Sequence, residues 1–273
     1  MSDAPAVARE LARAFEERRL VSTPPSARGD GFDLTAAYAV EGELARRRRA
    51  DGRTTVGIKV GYANKAMWRV LKLDTLVWAH MYDDSVQYAN ANEASLSTAR
   101  MISPKIEPEI VFKMKAPLGG DVTDAAGALE AVEWLALGFE IIDCPYTDWK
   151  FQPADFVAAY GLHAALIVGE RRTVTADTIP ELVEQLPAFK VRLSKDGEVV
   201  AEGSGRNSLR SPALCLAELA SAMTKQSGTE PLAAGDLVST GTLTESAPIQ
   251  DGATWTAAVE GIDLAPLSVR FGL

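Results

Sequence analysis

The stretch PKIEPEIVFKM, residues 104–114, carries the strongest structural signal in this chain of 273 residues. Its side chains fall into two alternating sets, as in a β-strand, where successive residues point to opposite faces. The apolar set consists of Ile106, Ile110, Phe112 and Met114. The other face carries Glu107 and Glu109. Pro108 cannot donate a ladder hydrogen bond, so we expect the strand to lie at an edge or open rim of its sheet.

The carboxylates of Glu107 and Glu109 repel each other, and both ionise readily only if a cation lies between them. On its own, the E-x-E pattern is typical of a solvated strand face. A third carboxylate, Glu140, interrupts the apolar run LGFEIID at residues 137–143, where a charge is costly unless an Arg, a Lys or a metal ion compensates it. Three carboxylates without thiolate or imidazole would form an oxygen site that suits Mg²⁺ or Mn²⁺ better than Zn²⁺.

The overall charge and the scarcity of cysteine and histidine restrict the possible functions. There are 28 Lys and Arg against 37 Asp and Glu, a net charge of −9, which argues against nucleic-acid and anionic-membrane partners. The two cysteines, Cys144 and Cys215, exclude a disulfide scaffold and a thiolate zinc cluster. The two histidines, His80 and His163, argue against a histidine-rich metal centre. Any chemistry must therefore depend on carboxylates, lysines and backbone groups.

The chain shows no sequence signal for secretion or for insertion into a membrane. Residues 1–20 lack a basic start followed by an apolar core. No stretch approaches the ~20 apolar residues that a membrane helix needs. We therefore expect a soluble cytoplasmic protein with reduced thiols.

The first fifth of the chain is predicted to be helical. A first helix, capped by Ser2 or Asp3, places Val7, Leu11 and Phe15 on one apolar face. A second helix is predicted from Asp33 to Arg49, and its terminal arginines oppose the helix dipole. We expect residues 1–54 to form a helical N-terminal arm and residues 55–273 to form the domain that carries any chemistry.

The pattern changes from helical to alternating after Gly52. Val56, Ile58 and Val60 predict a strand with Lys59 on its other face. Gly57 and Gly61 flank Lys59 and leave room for a ligand to approach the strand. Lys59 could therefore bind an anionic substrate, or it could be an ordinary surface lysine at a strand end.

The remainder of the chain mixes short helices and strands, which predicts an α+β domain rich in strands. Helices are expected near residues 124–136 and 211–224, and a strand near residues 138–142. Strand patterns dominate the last forty residues. The segment STGTL, residues 239–243, offers backbone N–H groups and hydroxyls that could hold an anionic oxygen, or it could be a tight turn.

Four separated motifs together resemble the fumarylacetoacetate hydrolase superfamily. These are Gly57-Ile58-Lys59-Val60-Gly61, the stretch from Pro104 to Ile110, Phe139-Glu140-Ile141-Ile142-Asp143, and the stretch from Gly235 to Gly241. Their order and spacing are most similar to the branch of 2-oxopent-4-enoate hydratases and 4-oxalocrotonate decarboxylases. The resemblance extends over about residues 33–273. It implies a mixed β-roll with flanking helices and a helical N-terminal arm.

The resemblance also implies a site and its ligands. Mg²⁺ or Mn²⁺ would be held by Glu107, Glu109 and Glu140, with Lys59 in the active site and residues 148–151 close to it. Ser204, Thr240 and Gly241 would correspond to turns that face the substrate. A small 2-oxo acid is the implied substrate, and a homo-oligomer is the implied assembly. Residues 159–163, AYGLH, depart from the Asp-Asn pair that the branch usually carries at this place.

The resemblance leaves three reactions open, all of which pass through an enolate of the 2-oxo acid. We favour a hydratase, with a decarboxylase of a 2-oxo diacid second and a C–C hydrolase of an acylpyruvate third. Lys59 or Lys150 could donate a proton or anchor a carboxylate. His80 could activate water with Glu93, from an Asn/Ala/Ser-rich lid at residues 88–98, whereas His163 is interpreted as a core residue. The non-enzymatic alternative is an inactive oligomeric partner of a paralogue.

Overall fold

A computed structural model describes residues 3–29, 31–226 and 229–272 of the chain. The helices are α1 (Ala4–Glu16), α2 (Leu34–Ala50), α3 (Trp68–Leu71), α4 (Ala125–Glu130), α5 (Pro153–Ala158), α6 (Ile179–Ala188) and α7 (Pro212–Lys225). The strands are β1 (Thr55–Gly61), β2 (Val77–Tyr82), β3 (Val86–Tyr88), β4 (Glu93–Ser97), β5 (Pro104–Met114), β6 (Val132–Asp143), β7 (His163–Thr173), β8 (Lys190–Lys195), β9 (Glu198–Ser204), β10 (Leu237–Ser239), β11 (Ala247–Pro248), β12 (Thr254–Glu260) and β13 (Leu267–Gly272). The predicted α+β class is confirmed.

The N-terminal arm consists of α1 and α2, close to the predicted bounds. The Asp3 carboxylate accepts the N–H of Ala6 and caps α1, and the Asp33 carboxylate caps α2 in the same way. Ser2, the other predicted cap, lies outside the described residues. Leu11 is fully buried, because the apolar face of α1 packs on α2 and α5 of the same chain. The arm is therefore joined to the strand-rich part through a shared core.

The larger sheet has the order β2-β1-β10-β5-β6-β7-β3, and the short strand β11 also pairs with β5. The expectation that β5 lies at an edge is wrong, because β5 pairs with β6 on one side and with β10 and β11 on the other. Pro108 faces the gap between β10 and β11, where its carbonyl accepts the N–H of Leu243 at 2.9 Å. Neither β10 nor β11 pairs with Pro108, so its missing N–H removes no ladder hydrogen bond although β5 is not an edge strand.

A helix was expected over residues 124–136, but α4 ends at Glu130 and β6 begins at Val132. The Asp124 carboxylate accepts the N–H of Gly127 and caps α4. The residues that follow are buried on both faces of the sheet, and periodicity alone does not separate such a run from a buried helix. Nearly the whole of β6 pairs with β5, and this pairing makes the segment a strand rather than a helix.

The smaller sheet has the order β4-β13-β12-β8-β9. It contains the segment interpreted as a mobile lid, and that expectation is wrong, because Glu93–Ser97 form β4 and pair in parallel with β13. The helix α7 and the terminal strands β10, β12 and β13 lie where the sequence predicts them. Among the described residues, no helix is long and apolar enough to cross a membrane.

Candidate functional site

Three carboxylates meet at the centre of the larger sheet, on the strands β5 and β6. The register places Glu107 directly opposite Glu140, and Glu109 lies two residues farther along the same face of β5. One carboxylate oxygen from each of the three lies within 4.8 Å of the others. Glu109 and Glu140 are fully buried, whereas Glu107 is partly open to a cavity. The three carboxylates singled out in the sequence are therefore brought together.

The two fully buried carboxylates differ in how their oxygens are satisfied. Glu109 Oε2 accepts Ser239 Oγ at 2.5 Å and the Gly241 N–H at 2.8 Å, and Glu109 Oε1 accepts no hydrogen bond from the described residues. Glu140 Oε1 lies 2.8 Å from a ring nitrogen of His163, and Glu140 Oε2 forms an ion pair with Lys59 Nζ at 3.1 Å. Buried carboxylate oxygens without donors are costly, and they are the ligands that Mg²⁺ and Mn²⁺ prefer. The residues present therefore fit a divalent cation.

The charge states of the three carboxylates differ. Burial raises the pKa of Glu107 to about 7, a shift that Lys59 opposes and Glu140 reinforces. Burial and both neighbouring carboxylates raise the pKa of Glu109 well above its usual range. Burial opposes ionisation of Glu140 as well, but Lys59 and His163 outweigh it and lower the pKa of Glu140. A cation would therefore compete with protons for Glu107 and Glu109, the two carboxylates whose pKa is raised.

Lys59 lies beside the carboxylates with its ammonium group buried. Its Nζ is 3.1 Å from Glu140 Oε2, donates a hydrogen bond to the Gly161 carbonyl at 2.9 Å, and lies 4.6 Å from the centre of the Phe156 ring. The space beside the flanking glycine Gly61 was expected to admit a ligand. It is filled by the Phe156 ring, which a Cβ at Gly61 would overlap.

A cavity of about 600 Å³ opens onto Lys59 and Glu107. Its apolar wall includes Tyr62, Met67, Trp149, Phe151, Phe156 and Leu162. Its uncharged polar groups include Asn64, Asn207, Thr242 and Thr244. Two exposed carboxylates, Glu202 and Glu245, also border it. The buried end of the cavity therefore carries the ammonium of Lys59 and the carboxylate of Glu107. Its wall is mostly aromatic, and the exposed charged side chains at its border are carboxylates.

The three residues expected in substrate-facing turns have different positions. Gly241 lines the cavity, and its N–H holds Glu109. Thr240 is fully buried and donates its hydroxyl to the Ile110 carbonyl, so it does not line the cavity. Ser204 borders a neighbouring depression instead, together with Lys190 and Arg192. The hydroxyl groups of the cavity come from Thr242 and Thr244, which follow Gly241 in the same turn.

Lys150 does not reach the cavity. Its side chain is 81% exposed, and its Nζ lies 3.2 Å from Asp148 Oδ2. The flanking residues Trp149 and Phe151 both line the cavity, whereas Lys150 between them points to solvent. The prediction that residues 148–151 lie near the site holds for the two aromatic residues, and the structure does not support Lys150 as a proton donor.

His80 also lies away from the carboxylates. It pairs across the sheet with Ile58, so its side chain is on the face of β1 and β2 opposite to that of Lys59. Its Nδ1 is 2.6 Å from Glu41 Oε1 of α2, and its backbone N–H donates to the same oxygen. The expected partner Glu93 lies in β4 of the other sheet. The assignment of His80 to the reaction is therefore not supported by its position.

His163 is the site residue that sequence reasoning missed. It is the first residue of β7, its Nδ1 lies 2.8 Å from Glu140 Oε1, and its Nε2 lies 2.9 Å from Ser85 Oγ. Which of these ring nitrogens carries the proton is set by the tautomer. The sequence signal that could have pointed to His163 is the departure of residues 159–163 from the pattern of the hydratase branch.

Comparison with known proteins identifies the family. A family model described as fumarylacetoacetate (FAA) hydrolase C-terminal matches residues 61–268. The chain belongs to the fumarylacetoacetate hydrolase family. It is 31% identical to 4-oxalocrotonate decarboxylase from Pseudomonas sp. strain CF600 over 96% of this chain and 95% of that protein. It is 28% identical to 2-hydroxyhexa-2,4-dienoate hydratase from Comamonas testosteroni, over 99% of both chains.

The fold of this family member is also that of a solved relative. The structure of 4-oxalocrotonate decarboxylase from Pseudomonas putida G7, complexed with magnesium and adipate, superposes with a TM-score of 0.87 and 26% identity. The match covers 98% of this chain and 97% of the relative. The predicted fumarylacetoacetate hydrolase fold, with its helical N-terminal arm, is therefore confirmed.

Proposed function

We propose that this chain is a divalent-metal-dependent hydratase that adds water to a 2-hydroxydienoate or unsaturated 2-oxo acid, in the catabolism of aromatic-type compounds. Glu107, Glu109 and Glu140 would hold Mg²⁺ or Mn²⁺. The full-length similarity to a 2-hydroxydienoate hydratase and the magnesium in the solved decarboxylase support this assignment. The observation that carries it is the cavity that ends on Glu107 and Lys59, beside the buried carboxylates of Glu109 and Glu140, whose ligand atoms lie within 4.8 Å of one another and of Glu107.

The chain's own groups would divide the work as follows. When bound, the cation supplies Lewis-acid stabilisation of the carboxylate and the 2-oxygen of the acid. Lys59 donates an Nζ–H to an oxygen of the acid, and this bond strengthens as negative charge develops there. Asn64 and Asn207 offer amide hydrogen bonds, and the aromatic wall holds the carbon chain and limits the access of bulk water.

The charge distribution of the cavity favours a hydratase over a diacid decarboxylase. Lys59 is the only Lys or Arg that lines the cavity in the described part of the chain, and it lies beside Glu140. A second carboxylate, at the far end of a diacid, would meet aromatic rings and the carboxylates of Glu202 and Glu245. An uncharged far end fits these surroundings better. The decarboxylase is the second candidate, because the 31% identical relative bears that name.

Two further alternatives have weaker support. A C–C hydrolase needs a general base for water, and no histidine lines the cavity among the residues that the structure describes. An inactive partner of a paralogue would have no use for three carboxylates, two of them buried, which are costly to keep in a protein interior.

The reaction can be tested with a panel of 2-hydroxydienoates, 2-oxo diacids and acylpyruvates, with and without Mg²⁺. Loss of dienol absorbance would be followed, and the products would be weighed by mass spectrometry. A gain of one water on a monoacid is expected. Loss of CO₂ from a diacid would identify the decarboxylase, and two fragments would identify the hydrolase.

The metal site can be tested by titration calorimetry with Mg²⁺ and Mn²⁺. Binding is expected for the wild-type protein and loss of metal-dependent turnover for Glu107→Gln and Glu109→Gln. Absence of metal binding would favour the inactive partner, and unchanged turnover in either variant would overturn the assignment of the three carboxylates.

We also propose a homo-oligomer, with residues 1–54 as the arm and residues 55–273 as the catalytic domain of each subunit. Val199 and Val200 support an assembly, because both are about half exposed on the edge strand β9, where unpaired backbone groups invite association. Light scattering coupled to size-exclusion chromatography would give the subunit number. A monomer at micromolar concentration would contradict the assembly.

A further inference from the structure

The turn between α5 and β7 has an unusual backbone. Tyr160, Gly161 and Leu162 have φ values of +56°, +58° and +58°, so three successive residues are left-handed. Residues with a Cβ adopt this conformation rarely, and usually one at a time. Such strain persists only where the surrounding structure holds it, and it is concentrated at functional sites. The next residue along the chain is His163, which contacts Glu140.

The middle residue of this turn touches the lysine of the site directly. The Gly161 carbonyl accepts the hydrogen bond from Lys59 Nζ at 2.9 Å. A Cβ on Gly161 would lie 2.8 Å from Lys59 Cδ and 2.9 Å from the Ala79 Cβ, both closer than real Cβ contacts. The aliphatic stem of Lys59 therefore passes over the glycine and occupies the space that any other side chain would need.

We propose that Gly161 is a positioning residue, which through its missing side chain and its carbonyl fixes the Lys59 ammonium beside Glu140. The left-handed turn presents both the carbonyl and the free space to Lys59. The residue that follows it contacts the other oxygen of Glu140, so one short segment sets both members of the Lys59–Glu140 pair. The expected effect on turnover rests on the proposed function. The expected effect on the position of Lys59 is independent of that function.

The chain offers a matched control for Gly161→Ala. Gly197, in the turn between β8 and β9, is also left-handed, with φ of +88°, but a Cβ there would have no atom within 4 Å. Gly197→Ala therefore adds the backbone strain without the contact with a lysine. A fall of the melting temperature by roughly 2–8 °C is expected for Gly197→Ala, and a larger fall for Gly161→Ala.

The position of Lys59 can be read without any substrate, from competitive acetylation followed by peptide mass spectrometry. The exposed Lys150 is the internal reference. The ratio of the Lys59 rate to the Lys150 rate is expected to rise at least about tenfold in Gly161→Ala, because the displaced ammonium loses its buried partners. The ratio should not change in Gly197→Ala. A wild-type ratio in a folded Gly161→Ala protein would overturn the proposal.

Turnover gives the second readout. If the protein is a hydratase, Gly161→Ala is expected to lower kcat by about 100-fold, with Mg²⁺ affinity and KM nearly unchanged, because a displacement of about 1 Å can have that effect. A loss of Mg²⁺ affinity as large as the loss of kcat would instead indicate general damage to the site and contradict the proposal. If the wild-type protein has no hydratase activity, the proposed function fails, while the acetylation ratio still decides the role of Gly161.

A double-mutant cycle covers the case in which Gly161→Ala does not fold. Lys59→Ala removes the Cδ atom that the new methyl group would meet. Gly161→Ala is therefore expected to lower the melting temperature less in the Lys59→Ala background than in the wild type. An equal loss in both backgrounds, including loss of folding in both, would overturn the proposal, because Ala79 and the backbone alone would then exclude the methyl group.

Discussion

Both histidines of the chain form a close pair with a glutamate, and the two pairs differ in what surrounds them. His163 Nδ1 lies 2.8 Å from Glu140 Oε1, and His80 Nδ1 lies 2.6 Å from Glu41 Oε1. The first pair is almost completely buried beside Lys59 and two further carboxylates. The second joins α2 to β2 on the opposite face of the sheet, with the His80 side chain 21% exposed. We refer to them as the inner pair and the outer pair.

The difference lies in what else each glutamate contacts. Glu140 Oε2 pairs with the Lys59 ammonium at 3.1 Å, and Glu140 lies with Glu107 and Glu109 in the cluster of three carboxylates. Glu41 Oε1 accepts both the ring and the backbone N–H of His80, so the outer pair ties the N-terminal arm to the sheet. The same two residue types therefore lie at the proposed metal site in one place and join a helix to a strand in the other.

The largest expected contrast is between Glu140→Gln and Glu41→Gln. Glu140→Gln is expected to abolish metal-dependent turnover and to weaken Mg²⁺ binding by more than about 100-fold, because even partners that only support metal ligands contribute 10–100-fold. Glu41→Gln should keep kcat and lower the free energy of unfolding by about 1–2 kcal/mol. Calorimetric titration and urea unfolding would measure the two effects. Equal loss of Mg²⁺ binding in both variants would erase the distinction between the pairs.

Lys59→Ala and Lys150→Ala give the next largest contrast. Lys59 contacts the inner pair and lines the cavity, so its loss is expected to lower kcat about 10²–10³-fold while Mg²⁺ binding stays largely intact. Lys150 makes only an exposed ion pair with Asp148, and such pairs contribute little. Steady-state kinetics under saturating Mg²⁺ would separate them. A wild-type kcat for Lys59→Ala would remove Lys59 from the reaction.

Replacing the histidines themselves should give a smaller contrast. His163→Ala is expected to weaken Mg²⁺ binding by about 10–100-fold, since Glu140 loses its orienting partner. His163→Asn should restore most of this affinity, because its amide nitrogen can take the place of Nδ1. His80→Ala should leave Mg²⁺ affinity unchanged and lower stability alone. If His80→Ala weakened Mg²⁺ binding as much as His163→Ala, the outer pair would also belong to the site.

Local sequence patterns predicted the inner carboxylates but not their histidine. Alternation placed Glu107 and Glu109 on one face, and an apolar run made Glu140 conspicuous. The contact between His163 and Glu140 depends on how β7 is aligned with β6, and the bulges in that pairing are not readable from either strand alone. The alternating pattern of β5 does not show that Glu140 lies beside Glu107 and Glu109. The family resemblance implied that they share one site.

The same limit explains why His80 was chosen. The stretch WAHMYDD precedes the segment 88–98 that was interpreted as a lid with Glu93 as the partner, whereas the observed partner Glu41 lies on a helix 39 residues earlier. His80 pairs with Ile58, so it shares the face of Ile58 and lies on the opposite face from Lys59. That pairing is a tertiary fact, so the strand pattern predicted which residues of β1 share a face but not which residue of β2 joins them.

The smallest expected effect is the pH dependence of metal binding, which should involve the inner site and not the outer pair. The pKa of Glu107 is raised to about 7 by burial, so below that pH a proton competes with the cation for this carboxylate. Mg²⁺ affinity is therefore expected to rise with pH, most steeply below pH 7, and to continue rising above pH 7 while Glu109, whose pKa is raised well above its usual range, still loses a proton on binding. Glu107→Gln should bind more weakly and with a flatter profile, and His80→Ala should keep the wild-type profile. An affinity that falls as the pH rises from 6 to 8 would contradict the sign of this linkage, since no proton would then be leaving the ligands as the metal binds.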